Sequence, residues 1–180
     1  MSEIDAEQEP PFPADPKWSI GRVAAIATVV LIAILWALAF AGWGRTADAD
    51  LLSDREFVRT AIEACASHEE ELDALPRANE SKTPQERGEV VKESNAILDE
   101  MLDELDAIEV AKPADAKTIS SWLADYRQHL ADRVEYAKQL SSGNGLPFTE
   151  STRQNKALSK IVDKFVTTNS MESCATPDDV

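Results

Sequence analysis

The sequence predicts an all-α protein, with one N-terminal transmembrane helix followed by an antiparallel four-helix bundle. Two observations carry this reading. Residues 23–44 form an uncharged run of 22 residues, VAAIATVVLIAILWALAFAGWG, and beyond it apolar residues recur at spacings of three and four in four segments parted by proline, glycine and serine. The β-branched and aromatic clusters that mark strands do not occur.

Residues 1–22, MSEIDAEQEPPFPADPKWSIGR, carry five acids and two bases and few apolar groups. Such a segment buries too little surface to offset chain entropy, so a disordered spacer is expected. Its Pro10-Pro11-Phe12-Pro13 stretch suits a polyproline II turn that could dock on a partner.

The uncharged run matches a bilayer in length. At ~1.5 Å per residue it spans roughly 33 Å, against a hydrocarbon core of about 30 Å. Trp18 and Trp43 suit the two interfaces, where an indole buries its ring and keeps its N–H wet. Ala37-Leu38-Ala39 and Ala39-Phe40-Ala41 imitate signal-peptide cleavage sites. A signal peptide's apolar core is usually only about 7–15 residues, however, and the long acidic tail is unusual for one, so an uncleaved anchor is expected.

Basic flanks do not orient the anchor, since Lys17 and Arg22 are nearly balanced by Arg45, Arg55 and Arg59. The cysteines give a better handle. Cys65 and Cys174 are the only two and both follow the run, so a disulfide between them in an oxidising compartment is expected. This places the protein in the cell membrane as a single-pass chain, N-terminus cytoplasmic and C-terminal domain extracytoplasmic.

The domain is expected over residues 51–174, with a flexible tail at 175–180. Its first helix starts at Ser53-Asp54-Arg55-Glu56, which has the form of a capping box, continues through Phe57, Ala61, Cys65, His68 and Leu72, and ends by Pro76. The second opens at Thr83-Pro84-Gln85-Glu86, where a capping threonine, a proline at the first helical position and a glutamate reaching back coincide. Its apolar stripe reads Val90, Ser94, Ile97, Met101, Leu105 and Ile108, and acids cover the rest. The third helix runs from Pro113 with Ile119, Leu123, Leu130, Val134 and Ala137 inward, and stops at the Ser141–Pro147 loop. The fourth begins near Thr149 and carries Leu158, Ile161, Val162, Phe165 and Val166. Four amphipathic helices with short connections pack most economically as an antiparallel bundle, which makes the first and fourth neighbours and lets Cys65 meet Cys174.

Net charge is −15, and residues 45–180 hold 28 acids against 16 bases. An acidic surface of this kind excludes nucleic acid as a partner. Cys65, His68 and Glu69 are too few for a zinc site, and no calcium loop or Glu-x-x-His pair occurs, so no metal or other cofactor is expected. Catalytic motifs are missing too: there is no phosphate-binding glycine loop, Gly-x-Ser-x-Gly or His-Glu-x-x-His. A non-enzymatic role is therefore expected.

The most suggestive pattern lies in the third helix, where Trp122, Tyr126, His129, Arg133 and Tyr136 share one face at spacings of four, three, four and three. Such a face offers a planar or anionic ligand two kinds of contact, ring stacking and a bidentate arginine. The plainer reading packs Trp122 and Tyr126 at the core edge and pairs Arg133 with acids of the second helix. Around these residues, the string from Trp122 to Ala137 resembles a segment of uncharacterised actinobacterial single-pass membrane proteins. The resemblance implies an N-terminal anchor, an extracytoplasmic helical domain and distant cysteines, and assigns no activity.

The expected function is a membrane-anchored, extracytoplasmic interaction or structural module with an envelope protein as its partner. The alternative is a ligand-sensing bundle that uses the aromatic and arginine face.

Overall fold

The computed structural model describes residues 20–40 and 50–180, which fall into two units dividing near residue 46. In the first unit, Ile20–Phe40 forms α1. Its described side chains are exposed on every side. Within it, the Thr28 hydroxyl donates to the Ala24 carbonyl at 2.9 Å, so this polar group is satisfied inside the helix. Among the described residues no helix is both long and apolar enough to cross a membrane. Most of the expected disordered tail, both flanking tryptophans and residues 41–44 of the expected span lie outside the described residues.

The second unit is mostly helical and bundle-like: α2 is Arg55–Asp73, α3 Pro84–Asp106, α4 Pro113–Ser141 and α5 Leu158–Asn169. Helix α2 is capped by Asp54, which accepts from the Phe57 N–H at 3.2 Å. This corrects the expected Ser53 cap. Ser53 is drawn away because its own N–H and hydroxyl donate to Asp115 at the start of α4. The start of α3 follows its sequence signals: Thr83 accepts from the Glu86 N–H, Pro84 is the first helical residue, and Glu86 accepts from the Lys82 N–H.

Helix α3 lies antiparallel to α4, as pairs along their length demonstrate: Arg127 donates to Leu102 and Asp103, Arg133 to Ser94 and Asn95, and Gly88 abuts Leu140 and Ser141. The buried stripe of α3 is Arg87, Val91, Ser94, Asn95, Leu98, Met101, Leu102 and Leu105. Val90 and Ile97 are only half-buried. In α4, Val134 is exposed and the inward face turns instead through Trp122, Tyr126, His129, Arg133, Ala137 and Leu140.

Helix α5 starts at Leu158 and not near Thr149. Between the two lies a small hairpin, absent from the sequence reading, in which β1 (Thr152–Arg153) pairs antiparallel with β2 (Lys156–Ala157). Its turn residues Gln154 and Asn155 both have positive φ, 53° and 60°, the conformation that tight hairpin turns require. Glu150 then supplies the start of α5 from a distance: its carboxylate accepts from the Ser159 N–H and hydroxyl, both at 2.8 Å.

At its end, α5 passes through Ser170 at φ 57°, and the Met171 N–H bonds back to the Val166 carbonyl at 3.0 Å. That turn sends the chain toward α2. Asn169 secures the corner by accepting from the Leu52 N–H and donating to the Asp50 carbonyl. The turn Glu172–Cys174, more than α5 itself, then packs on α2. One core gathers Phe57, Ala61, Leu98, Leu102, Tyr126 and Phe165 around the two cysteines.

Candidate functional site

Cys65 and Cys174 form a disulfide across a sequence separation of 109 residues, with both cysteines fully buried. Cys65 reaches inward because it sits one turn after Ala61 on the buried side of α2; Cys174 is carried to it by the turn after α5. Residues 175–180, expected as a flexible tail, are instead tied down. The Tyr126 hydroxyl donates to the Ala175 carbonyl at 3.0 Å, the Thr176 N–H and hydroxyl donate to Asp163, and Asp179 pairs with Arg133. Residues 171–180 thus form a strap running over α2, α4 and α3.

The five residues singled out on α4 do share one face, but that face is the interior. Trp122, Tyr126, His129 and Arg133 are between 0% and 3% exposed, and Tyr136 is half-buried. Trp122 stacks on Phe165 of α5 with centroids 4.7 Å apart, His129 meets the edge of Phe148 at 5.8 Å, and Tyr136 tilts against the same Phe148 at 5.3 Å. The rings therefore join α4 to α5 and to the loop before it. They do not form an open platform for a planar ligand.

Arg133 is committed within the chain. Its Nε donates to Asn95 Oδ1 at 2.8 Å, Nη2 to Ser94 Oγ at 2.8 Å and to Asp179 Oδ2 at 2.9 Å, and Nη1 to Asp179 Oδ1. Four of its five N–H groups are used in this way. Its α3 partners are a serine and an amide rather than the acids expected there, because the acids of α3 face outward and the carboxylate arrives on the strap. Burial pushes the Asp179 carboxyl up, but hydrogen bonds and charge from Arg133, aided by Ser94 and Arg87, outweigh burial and hold it below the usual carboxylate range.

His129 Nδ1 lies 3.1 Å from Glu150 Oε2. Burial and the nearby Arg133 charge lower its pKa, against the opposing pull of Glu150. Burial raises the Tyr126 phenol, so it remains a donor. Of the residues weighed for metal binding, Cys65 is consumed by the disulfide and His68 contacts Glu104 at 3.1 Å. Among the described residues no group of three or more His, Cys, Asp or Glu side chains is arranged to hold a metal ion.

Arg87, Asn95, Phe148, Glu150 and Asp179 complete this interior, and sequence reasoning missed all five. Only Glu150 carried a local signal, nine residues ahead of the serine it caps. No family model, curated protein or solved structure matches the chain. The geometry alone must carry any functional reading.

Proposed function

We propose that residues 23–44 cross the cell membrane once, with the N-terminus cytoplasmic. They would hold an acidic antiparallel four-helix bundle on the extracytoplasmic side, as an interaction or structural module for an envelope protein. The observation carrying this reading is the Cys65–Cys174 bond, since disulfides persist mainly in oxidising compartments. Support also comes from α1, whose described side chains over 23–37 are exposed and, apart from Thr28, apolar, a surface suited to lipid rather than water. The sensor alternative draws less support, since the rings and Arg133 of the α4 face are buried against the protein's own groups.

A reporter fused after Val180, combined with alkylation of the unreduced protein in intact cells, tests the orientation. The expected outcome is an extracytoplasmic reporter and cysteines that react only after reduction and unfolding. A cytoplasmic reporter, or free thiols in the native protein, would sink the reading. Crosslinking in membranes then identifies the partner.

A further inference from the structure

One indole and one carboxylate are left without hydrogen-bond partners in the wall of the same cavity. Trp122 is 3% exposed and Asp125 9%, yet neither Trp122 Nε1 nor Asp125 Oδ2, both shielded from solvent, has a hydrogen-bond partner. They stand three residues apart on α4 and so project from one side of that helix. The stack on Phe165 holds the indole plane, which keeps Nε1 from turning to another acceptor. Each group has lost its hydration and gained no hydrogen bond in exchange, an arrangement that folded proteins avoid.

Both residues line a cavity of about 370 Å³, with Thr118, Ser121, Arg153 and Phe165 also in its wall. That volume lies in the range of small-molecule sites, roughly 300–1,000 Å³. Arg153 comes from β1, and its side chain is half-exposed. Its Nη2 lies 2.5 Å from Asp125 Oδ2 as an ion pair without hydrogen-bond geometry, and its Nη1 donates to Ser121 Oγ at 3.3 Å. Burial raises the Asp125 carboxyl against the opposing charge of Arg153, as it does where desolvation is incompletely offset.

An occupant of this cavity must accept from an indole N–H and donate to a carboxylate. A cation cannot accept, and an oxyanion is repelled by Asp125; a hydroxyl does both. The Thr118 and Ser121 hydroxyls extend the same chemistry along the wall, while Phe165 supplies an apolar surface for C–H groups.

We propose that the cavity binds a neutral polyhydroxylated ring, of the sugar or cyclitol class, whose hydroxyls accept from Trp122 Nε1 and donate to Asp125. Arg153 shifts on entry and uncovers Asp125 Oδ2. The site uses the edge of the indole and not its stacked face, and it needs only the folded second unit, so it stands whether or not residues 23–44 cross a membrane.

The chain has four tryptophans, and three of them, Trp18, Trp36 and Trp43, precede the second unit. Trp18→Phe/Trp36→Phe/Trp43→Phe in the full-length chain therefore leaves Trp122 as the sole indole. This protein, isotopically labelled for the indole N–H and kept in an amine-oxide detergent with no sugar head to compete, is titrated separately with glucose and myo-inositol. Trimethylamine N-oxide, an excluded osmolyte, is the control for bulk solvent effects. The expected result is a saturable shift of the Trp122 N–H resonance with at least one probe and none with the control; the probe that binds separates sugar from cyclitol. Asp125→Ala on the same background removes a charged acceptor and should weaken that binding roughly tenfold or more. Circular dichroism establishes that the variant folds, and if it does not, Asp125→Asn takes its place. The proposal is overturned if neither probe moves the resonance beyond the control, which would leave the cavity to ordered water, or if affinity is unchanged without the Asp125 carboxylate.

Discussion

Asp54 and Asp115 hold the starts of α2 and α4 together by exchange. Asp115 Oδ2 accepts from the Ser53 N–H, the Ser53 hydroxyl and the Asp54 N–H at 2.8, 3.0 and 2.7 Å, while Asp54 Oδ2 accepts from the Lys112 N–H at 2.9 Å. Each carboxylate thus satisfies backbone donors beside the other's helix. Asp115→Ala leaves three donors without an acceptor and is expected to lower stability by about 2–3 kcal/mol, measured by urea unfolding. Asp115→Asn, which keeps an acceptor oxygen, should lose less.

Gly88 sets how closely α3 and α4 approach. A methyl group there would meet Ser141 Oγ at 2.8 Å, the Ser141 backbone nitrogen at 2.9 Å and Leu140 Cβ at 3.1 Å. Alanine is the better helix former by about 1 kcal/mol, but a backbone atom cannot swing aside. Gly88→Ala should therefore destabilise by about 1–3 kcal/mol. An unchanged or raised melting temperature would show that the helices can part without loss.

Removing the disulfide tests how much the strap contributes. Closing a loop of this size is worth about 4–5 kcal/mol in the chain-entropy account, so Cys65→Ala/Cys174→Ala should shift the urea midpoint down accordingly. The native bond should resist reductant until unfolding begins, because both cysteines are buried.

Acid should weaken the fold in two stages. His129 has a lowered pKa when folded, so the unfolded chain takes up its proton first, near pH 6.5, and stability declines as pH falls below that until the folded histidine also protonates. His129→Gln should flatten the melting temperature between pH 7.5 and 5.5; an unchanged slope would assign that decline elsewhere. Asp54 is also lowered, chiefly by the Phe57 N–H, as Asp179 is by its arginine. Their contribution is complete above about pH 4 and is lost as pH drops through the lowered values. Asp179→Asn should reduce the second decline.

What could be read in the sequence follows from how local each signal is. The start of α3 is set by four consecutive residues, Thr83 to Glu86, and is found where they place it. Of its expected stripe, Ser94, Met101 and Leu105 are buried, while Val90 and Ile97 give way to their neighbours Val91 and Leu98, because adjacent apolar pairs fit two phases equally well and packing against α4 selects one. The hairpin before α5 escaped notice because Gln154 is an uncommon residue at positive φ. The pairing of the cysteines is legible from their number, since the chain has only two. The burial of Arg133 was not, because its counterion lies 46 positions later and is brought in only by the turn after α5.

The Cys65–Cys174 bond has a mechanical consequence. Helices α3, α4 and α5 all lie within the covalent ring it closes. If the chain is held at its N-terminal side and pulled from its last residues, tension passes along α2 to Cys65, crosses the sulfurs and leaves through the strap. The ring itself bears none of it. At ~3.4 Å per extended residue, the second unit can then lengthen to roughly 80 Å under force instead of roughly 450 Å. Anything attached at the C-terminal end would be kept within that distance of the second unit's first residues, even while the strap is being torn from α4.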